Sequence, residues 1–221
     1  MQTGAMNMNK LPYSIQFKAL QYLPMPMSRG MVLTVQKVLR VLRFRQDERL
    51  EVRRTMISSY DGANIPVLIA EPSGIGENAP CLFYIHGGGF MLPASTYHYN
   101  CVREYAIRGK CKVIFPDYRL STQYSYPTAH EDCYAAYQWM LLHAGHLGID
   151  TERIVIGGDS AGGDLATGIT LMIRDRGLTM PCMMMLIYPV MDRRMSTKSA
   201  WEITQDIVTR RCRKLEEAFL Q

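Results

Sequence analysis

Residues 157–163 of the chain read Gly157-Gly158-Asp159-Ser160-Ala161-Gly162-Gly163, directly after the apolar run Ile154-Val155-Ile156. Gly158–Gly162, here called the elbow, fits the pattern Gly-x-Ser-x-Gly. Glycines on both sides of a serine permit a tight turn from a strand into a helix, and such a turn leaves the serine hydroxyl clear of the backbone. The stretch therefore predicts a reactive serine, Ser160, at the end of a buried strand.

The chain on both sides of the elbow alternates between strand and helix patterns. Continuous apolar runs typical of buried parallel strands cover 81–85, 111–115, 154–156 and 182–188. Two shorter strand candidates, 51–58 and 65–71, flank the hairpin signal Asp61-Gly62. Helix-length segments cover 97–108, 128–143 and 161–176, and each runs toward a glycine suited to a left-handed cap, namely Gly109, Gly145 and Gly177. This order predicts the α/β class with a doubly wound, mostly parallel sheet.

A second glycine-rich motif follows an earlier strand. His86-Gly87-Gly88-Gly89-Phe90, here called the glycine loop, comes directly after the run 81–85. Residues without side chains let backbone N–H groups approach a developing oxyanion. A tight turn or a phosphate cradle would use three glycines too, but the Lys-Ser or Lys-Thr of a phosphate loop is absent and the dinucleotide pattern does not fit. Together, the glycine loop and the elbow favour acyl-transfer chemistry.

Length and composition indicate one ordinary globular domain. The chain has 221 residues, of which 48% are hydrophobic and 20% charged. Its six cysteines are scattered, without a Cys-x-x-Cys pair, so neither a zinc site nor a disulfide framework is indicated. Residues 1–9 lack the pattern of a signal peptide, and no apolar run reaches the roughly 18 residues of a membrane span. We expect a cytoplasmic location by default.

Positive charge is concentrated near the beginning of the chain. Residues 1–60 contain ten Lys/Arg against three Asp/Glu, whereas the whole chain has a net charge of +5. The segment Met31–Phe44 predicts a basic amphipathic helix whose apolar stripe consists of Val35, Val38, Leu39 and Leu42. Such a helix can lie on an anionic membrane or bind nucleic acid, but more often it packs its stripe on its own domain. We adopt the packing interpretation and expect no nucleic-acid partner, because interleaved aromatic residues are missing.

Four blocks of the sequence resemble, in residue type and order, the hormone-sensitive-lipase-like branch of the α/β-hydrolase fold, the microbial esterases with a His-Gly-Gly-Gly loop. The blocks are the glycine loop, Pro116-Asp117-Tyr118-Arg119-Leu120, Pro127-Thr128-Ala129-His130-Glu131-Asp132 and the elbow with Gly163. The resemblance covers about residues 50–192. It implies an α/β-hydrolase core at 50–192, a helical cap segment at 1–49, and a second cap piece, or the start of a missing C-terminal part, at 193–221.

The resemblance also implies roles for individual residues. Ser160 would be the nucleophile, and the amides of Gly88, Gly89 and Ala161 would form the oxyanion hole. Four residues, His86, Asp117, Arg119 and Asp132, would be structural supports. The implied substrate is a small-molecule ester, and no metal or organic cofactor is needed.

One departure from the family pattern concerns the base. The family order is serine, then acid, then histidine, whereas all five histidines of this chain precede Ser160. We therefore expect a fold that is incomplete at its C-terminus and a weak or inactive esterase. The alternatives are a non-catalytic small-molecule-binding or inert relative, and a domain that its basic helix docks on a membrane surface. The sequence does not indicate an oligomeric state.

Overall fold

A computed structural model describes residues 29–41, 47–192 and 197–198 of the protein. Eleven elements follow one another in these ranges. They are α1 (Arg29–Val41), β1 (Leu50–Ser58), β2 (Asn64–Pro72), β3 (Ala79–Ile85), α2 (Thr96–Gly109), β4 (Lys112–Pro116), α3 (Thr128–Leu142), α4 (Ala144–Leu147), β5 (Ile149–Asp159), α5 (Ala161–Asp175) and β6 (Met183–Ile187). The possible second cap piece within 193–221 lies almost entirely outside the described residues.

The strands form one six-stranded sheet in the order β1-β2-β4-β3-β5-β6. The β1–β2 and β2–β4 pairs are antiparallel, while β4–β3, β3–β5 and β5–β6 are parallel. The prediction of a doubly wound, mostly parallel sheet is thus confirmed. Because β3 and β5 are parallel neighbours, with Ile85 opposite Gly158, the glycine loop and the elbow leave the sheet side by side.

Helices cover both faces of the sheet, and the side chains of β3 alternate between the two buried faces. Phe83 and Ile85 face a core shared with α3 and α5, whereas Leu82 and Tyr84 face a second core shared with α2. All four side chains are buried. A continuous apolar run is the expected sequence for a strand that is covered on both faces.

Several local predictions need correction. β5 begins at Ile149, five residues before the predicted run, and the short helix α4 was not predicted. The left-handed residue after α2 is Lys110 (φ 46°) rather than Gly109. The predicted cap Gly145 does not end α3, which is capped by His143 (φ −106°); the left-handed glycine is Gly148 (φ 59°), after α4. The predicted cap glycines therefore lie one and three residues from the observed left-handed residues. The difference arises because more than one residue near a helix end can take the cap position.

The run 182–188 was expected to form a buried strand, and this is wrong for two of the methionines of β6. Met183 and Met184 are exposed, and β6 is the last strand in the order of the described sheet. Only Met185 packs partly against the core on the α2 side.

Helix α1 packs on the domain through a face that only partly coincides with the predicted stripe, of which Val35 and Leu39 are half-buried. Val32 is buried against Met91, and the Gln36 amide donates to the Met91 carbonyl and to the Thr122 hydroxyl at 2.5 and 2.9 Å. Val38, by contrast, is exposed. The helix turns Gln36 inward because it satisfies two buried acceptors beyond the glycine loop, which an aliphatic side chain cannot do.

Asp132 in α3 ties the β1–β2 hairpin to the segment after β4. Its fully buried carboxylate accepts hydrogen bonds from the Ser59 hydroxyl at 2.5 Å and from the Arg119 backbone and guanidinium at 3.0 and 2.7 Å. The same guanidinium reaches Asp61 in the hairpin turn at 2.7 Å. One buried carboxylate therefore fixes the relative position of three segments.

We predict that Asp132→Ala lowers the free energy of unfolding by about 3 kcal/mol, because it leaves the largely buried Arg119 guanidinium without its main partner. Urea unfolding followed by fluorescence measures this change. The control is Asp175→Ala, which breaks an exposed pair with Arg174 and should leave the unfolding midpoint unchanged. Equal midpoints for the two variants would contradict the role given to Asp132.

Candidate active site

Ser160 lies between β5 and α5 in a backbone conformation that is rare for a residue with a side chain. Its φ is 52° and its ψ is −117°. Hydrogen bonds hold this conformation from both sides: the Ser160 amide donates to the Ile187 carbonyl at 2.9 Å, and the Ser160 carbonyl accepts from the Gly163 and Val190 amides at 3.0 and 3.2 Å. A strained backbone conformation persists only where several surrounding contacts hold it in place.

The glycines of the elbow are required by close backbone contacts. A Cβ atom on Gly162 would lie 2.1 Å from the Ile85 carbonyl oxygen, and one on Gly158 would lie 2.3 Å from the Gly162 oxygen. The start of α5 thus presses directly on the end of β3. The sequence pattern predicts a tight turn, and the structure adds that the turn is packed against the neighbouring strand.

The glycine loop turns back immediately after β3. Gly88 and Gly89 have φ values of 119° and 61°, and the Gly88 carbonyl accepts from the Met91 and Leu92 amides at 3.1 and 2.9 Å. Within the described residues, the Gly88 and Gly89 amides donate to no acceptor. Ala161 begins α5, so its amide has no acceptor within the helix.

Asp159, which precedes the serine, joins the elbow to the glycine loop. One carboxylate oxygen accepts from the Tyr84 hydroxyl at 2.7 Å and from the Gly87 amide at 3.1 Å, and the other lies 3.4 Å from His98 Nε2. Burial would raise the pKa of Asp159, but the contacts with His98 and Tyr84 outweigh it and leave the pKa below its usual value. The carboxylate is therefore charged at neutral pH.

His86 is completely buried beside the glycine loop. Its ring stacks on Tyr118 with 4.4 Å between centroids, and its Nδ1 donates to the Gly87 carbonyl at 2.7 Å. Its Nε2 therefore carries a lone pair, for which the described residues offer no hydrogen-bond partner. Burial, together with the nearby His98, lowers the pKa of His86 to about 4.

The remaining predicted site residues lie between the glycine loop and the elbow in the sequence. Arg119 and Asp132 form the buried cluster that joins the hairpin to α3. Asp117 is exposed, and its amide donates to the Pro66 carbonyl at the start of β2. The structure thus brings Ser160 and Ala161 close to the glycine loop, whereas these three residues contact β2, the β1–β2 hairpin and one another.

His98 is a residue of the site that was not predicted from the sequence. This residue lies in the first turn of α2, where its Nδ1 accepts a hydrogen bond from the Ser95 amide at 3.0 Å. The spacing of Ser95 and His98 is that of a helix-capping pair, which could have marked the start of α2. Nothing in the sequence indicates that the other side of this ring faces Asp159.

The described part of the chain contains no group of three or more His, Cys, Asp or Glu side chains that could hold a metal ion. None of the helices in these ranges has both the length and the apolarity needed to cross a membrane.

Comparison with known proteins decides the family. A family model described as alpha/beta hydrolase fold matches residues 82–220, well over half of the chain. The chain belongs to this family. The α/β-hydrolase relatives include Carboxylesterase NlhH of Mycobacterium tuberculosis, 36% identical over 131 residues, which are 59% of this chain and 41% of that protein. Hormone-sensitive lipase of Bos taurus is 36% identical over 118 residues, which are 53% of this chain and 16% of that protein.

A solved structure shows the same fold. Carboxyl esterase 2 of Tuber melanosporum superposes with a TM-score of 0.72 at 28% sequence identity, over 79% of this α/β hydrolase and 58% of the fungal chain. These matches confirm the resemblance to the hormone-sensitive-lipase-like branch. The chain spans about two fifths of the length of Carboxylesterase NlhH.

The contact between the elbow and β3 gives a first prediction for this site. Gly162→Ala should lower the free energy of unfolding by about 3 kcal/mol or prevent folding, because the added methyl group meets a backbone carbonyl that cannot move aside. Thermal unfolding by circular dichroism measures the change. Gly145→Ala in α4, where a Cβ meets nothing within 4 Å, is the matched control and should be tolerated. Equal melting temperatures would mean that the elbow is not packed in this way.

Buried His86 gives a second prediction, on pH. Its pKa is about 4 in the folded chain and near the ordinary 6.5 in the unfolded chain, so the unfolded chain binds an extra proton between these values. The contribution of His86 to stability is complete above about pH 6.5 and declines by roughly 3 kcal/mol as the pH falls to 4. His86→Phe should flatten this slope in urea unfolding measured from pH 7 to pH 4. A slope identical in both proteins would contradict the assignment.

Proposed function

We propose that this α/β hydrolase carries the nucleophile and the oxyanion hole of a serine carboxylesterase. The observation that carries the proposal is the position of Ser160, on a strained turn beside a loop whose Gly88 and Gly89 amides have no acceptor among the described residues. Donors without a partner next to a nucleophile suit the negative charge that develops during acyl transfer. The printed names of the relatives, carboxylesterase and lipase, support an ester as the substrate class.

The reaction follows from these positions. The Ser160 oxygen attacks the ester carbonyl carbon and its proton passes to a water molecule, while the carbonyl oxygen becomes an oxyanion held by the Gly88, Gly89 and Ala161 amides. Collapse of this intermediate expels the alcohol, which takes up a proton, and leaves an acyl group on Ser160. Water then attacks the acyl group and releases the carboxylic acid. His86, Asp117, Arg119 and Asp132 hold the surrounding loops and take no part in bond making.

The 221 residues offer Ser160 a poor choice of base. Every histidine precedes the serine in the chain, and the pKa of about 4 makes buried His86 a weak proton acceptor. In serine proteases, removal of the histidine lowers turnover by about 10⁶, while the oxyanion hole and binding retain roughly 10³–10⁴ over water. We therefore propose slow acyl transfer by this chain, with 50–192 as the hydrolase core and 1–49 as a helical cap segment.

The test uses the purified 221-residue chain with p-nitrophenyl acetate and, separately, with a fluorophosphonate that labels nucleophilic serines. We expect a slow, stoichiometric adduct on Ser160 by mass spectrometry and ester hydrolysis measurably above that of Ser160→Ala. Ser58→Ala, which removes an exposed hydroxyl at the end of β1, should behave like the parent chain.

The proposal fails if Ser160→Ala hydrolyses the ester at the parent rate and the parent acquires no adduct. Binding of short-chain esters without an adduct, measured by calorimetry on the same sample, would then favour the non-catalytic small-molecule-binding alternative.

A further inference from the structure

We propose that His98 and Asp159 form a positioning pair that fixes the Gly87 amide, and with it the glycine loop, relative to Ser160. The role of the pair in catalysis rests on the function proposed above, whereas its role in fixing the loop does not. Neither residue touches the reacting atoms in this scheme.

The capping contact of α2 determines the tautomer of His98. The Ser95 backbone amide can only donate, so His98 Nδ1, 3.0 Å away, must be the acceptor and must carry no proton. The proton of the neutral ring is therefore on Nε2, the atom that lies 3.4 Å from Asp159 Oδ2. The His98 ring therefore accepts a hydrogen bond from the start of α2 through Nδ1 and presents its Nε2–H group to the Asp159 carboxylate.

Asp159 uses both carboxylate oxygens, and each contacts a different segment. Oδ2 faces His98, while Oδ1 accepts from the Gly87 amide at 3.1 Å and from the Tyr84 hydroxyl at 2.7 Å. The side chain is only 6% exposed, so water does not compete strongly for these contacts. The carboxylate thus connects α2, the end of β3 and the glycine loop at the residue next to the serine.

The backbone of Gly87 packs directly against Asp159, without space for a side chain at position 87. A Cβ atom at this position would lie 2.6 Å from both the carbonyl and the carboxylate oxygen of Asp159. Gly88 and Gly89, the next residues, have positive φ values and contribute no side chain that could hold the loop. The Gly87–Asp159 hydrogen bond is therefore the contact that ties the first glycine of the loop to the elbow.

Two substitutions of His98 separate this role from simple helix capping. Asparagine and glutamine can both accept from the Ser95 amide, but only the longer glutamine reaches Asp159 with an N–H group. His98→Asn therefore keeps the cap and loses the pair, whereas His98→Gln keeps both. Asp159→Asn is a second probe, because an amide accepts through only one oxygen and must give up either Gly87 or His98.

The readout is hydrogen exchange of the Gly87 amide, followed by NMR on protein labelled with ¹⁵N-glycine, and it does not depend on turnover. We expect exchange to be roughly 10- to 100-fold faster in His98→Asn and Asp159→Asn, the range for loss of a hydrogen bond to a charged group. His98→Gln should remain within about threefold of the parent. The amides of Val102 and Ala106 in α2 should exchange as in the parent in all variants.

Equal exchange of Gly87 in His98→Asn and His98→Gln would overturn the inference, and so would faster exchange in α2 without a change in the loop. If Asp159→Asn fails to fold, the two His98 variants still decide. Where the parent shows Ser160-dependent hydrolysis, His98→Asn should lower kcat at least tenfold with KM nearly unchanged, and His98→Gln should restore it. Absence of hydrolysis in the parent would bear on the proposed function alone, because the exchange result stands by itself.

Discussion

The site depends on one close contact, between the backbone at the start of α5 and the backbone at the end of β3. Gly162 approaches the Ile85 carbonyl so closely that no side chain fits between them. This contact places the serine turn directly beside the glycine loop, since the loop begins at the residue after Ile85. It also helps to hold the strained backbone of Ser160, because interiors this densely packed resist the small shifts that would relax it.

A buried negative charge next to this contact needs an explanation, because a carboxylate would oppose the formation of the proposed oxyanion nearby. Asp159 is surrounded by donors: the Tyr84 hydroxyl, the Gly87 amide and the His98 ring. Their dipoles offset much of the cost of burying the charge and weaken its field at the serine. A neutral side chain would avoid the repulsion, but it could not accept hydrogen bonds through two oxygens at once.

The sequence predicts those parts of the fold that depend on local pattern. The apolar runs locate β3, β4 and the last part of β5 because each of these strands is buried, and the glycines locate both loops because backbone conformation and close approach require them. Interactions between distant segments were not predictable. The contact of His98 with Asp159 spans 61 positions, and the inward turn of Gln36 depends on acceptors 55 and 86 positions away.

The backbone of Ser160 bears on whether the fold serves catalysis or binding alone. Glycine adopts positive φ without steric cost, so glycine at position 160 would relieve strain of order 1–3 kcal/mol. A site that only binds esters would gain nothing from a strained serine, because the proposed binding of a carbonyl oxygen by the glycine-loop amides does not require a side chain at position 160. An attacking oxygen, by contrast, can be supplied only by a side chain. The strained serine thus fits the acyl transfer proposed above better than it fits binding alone.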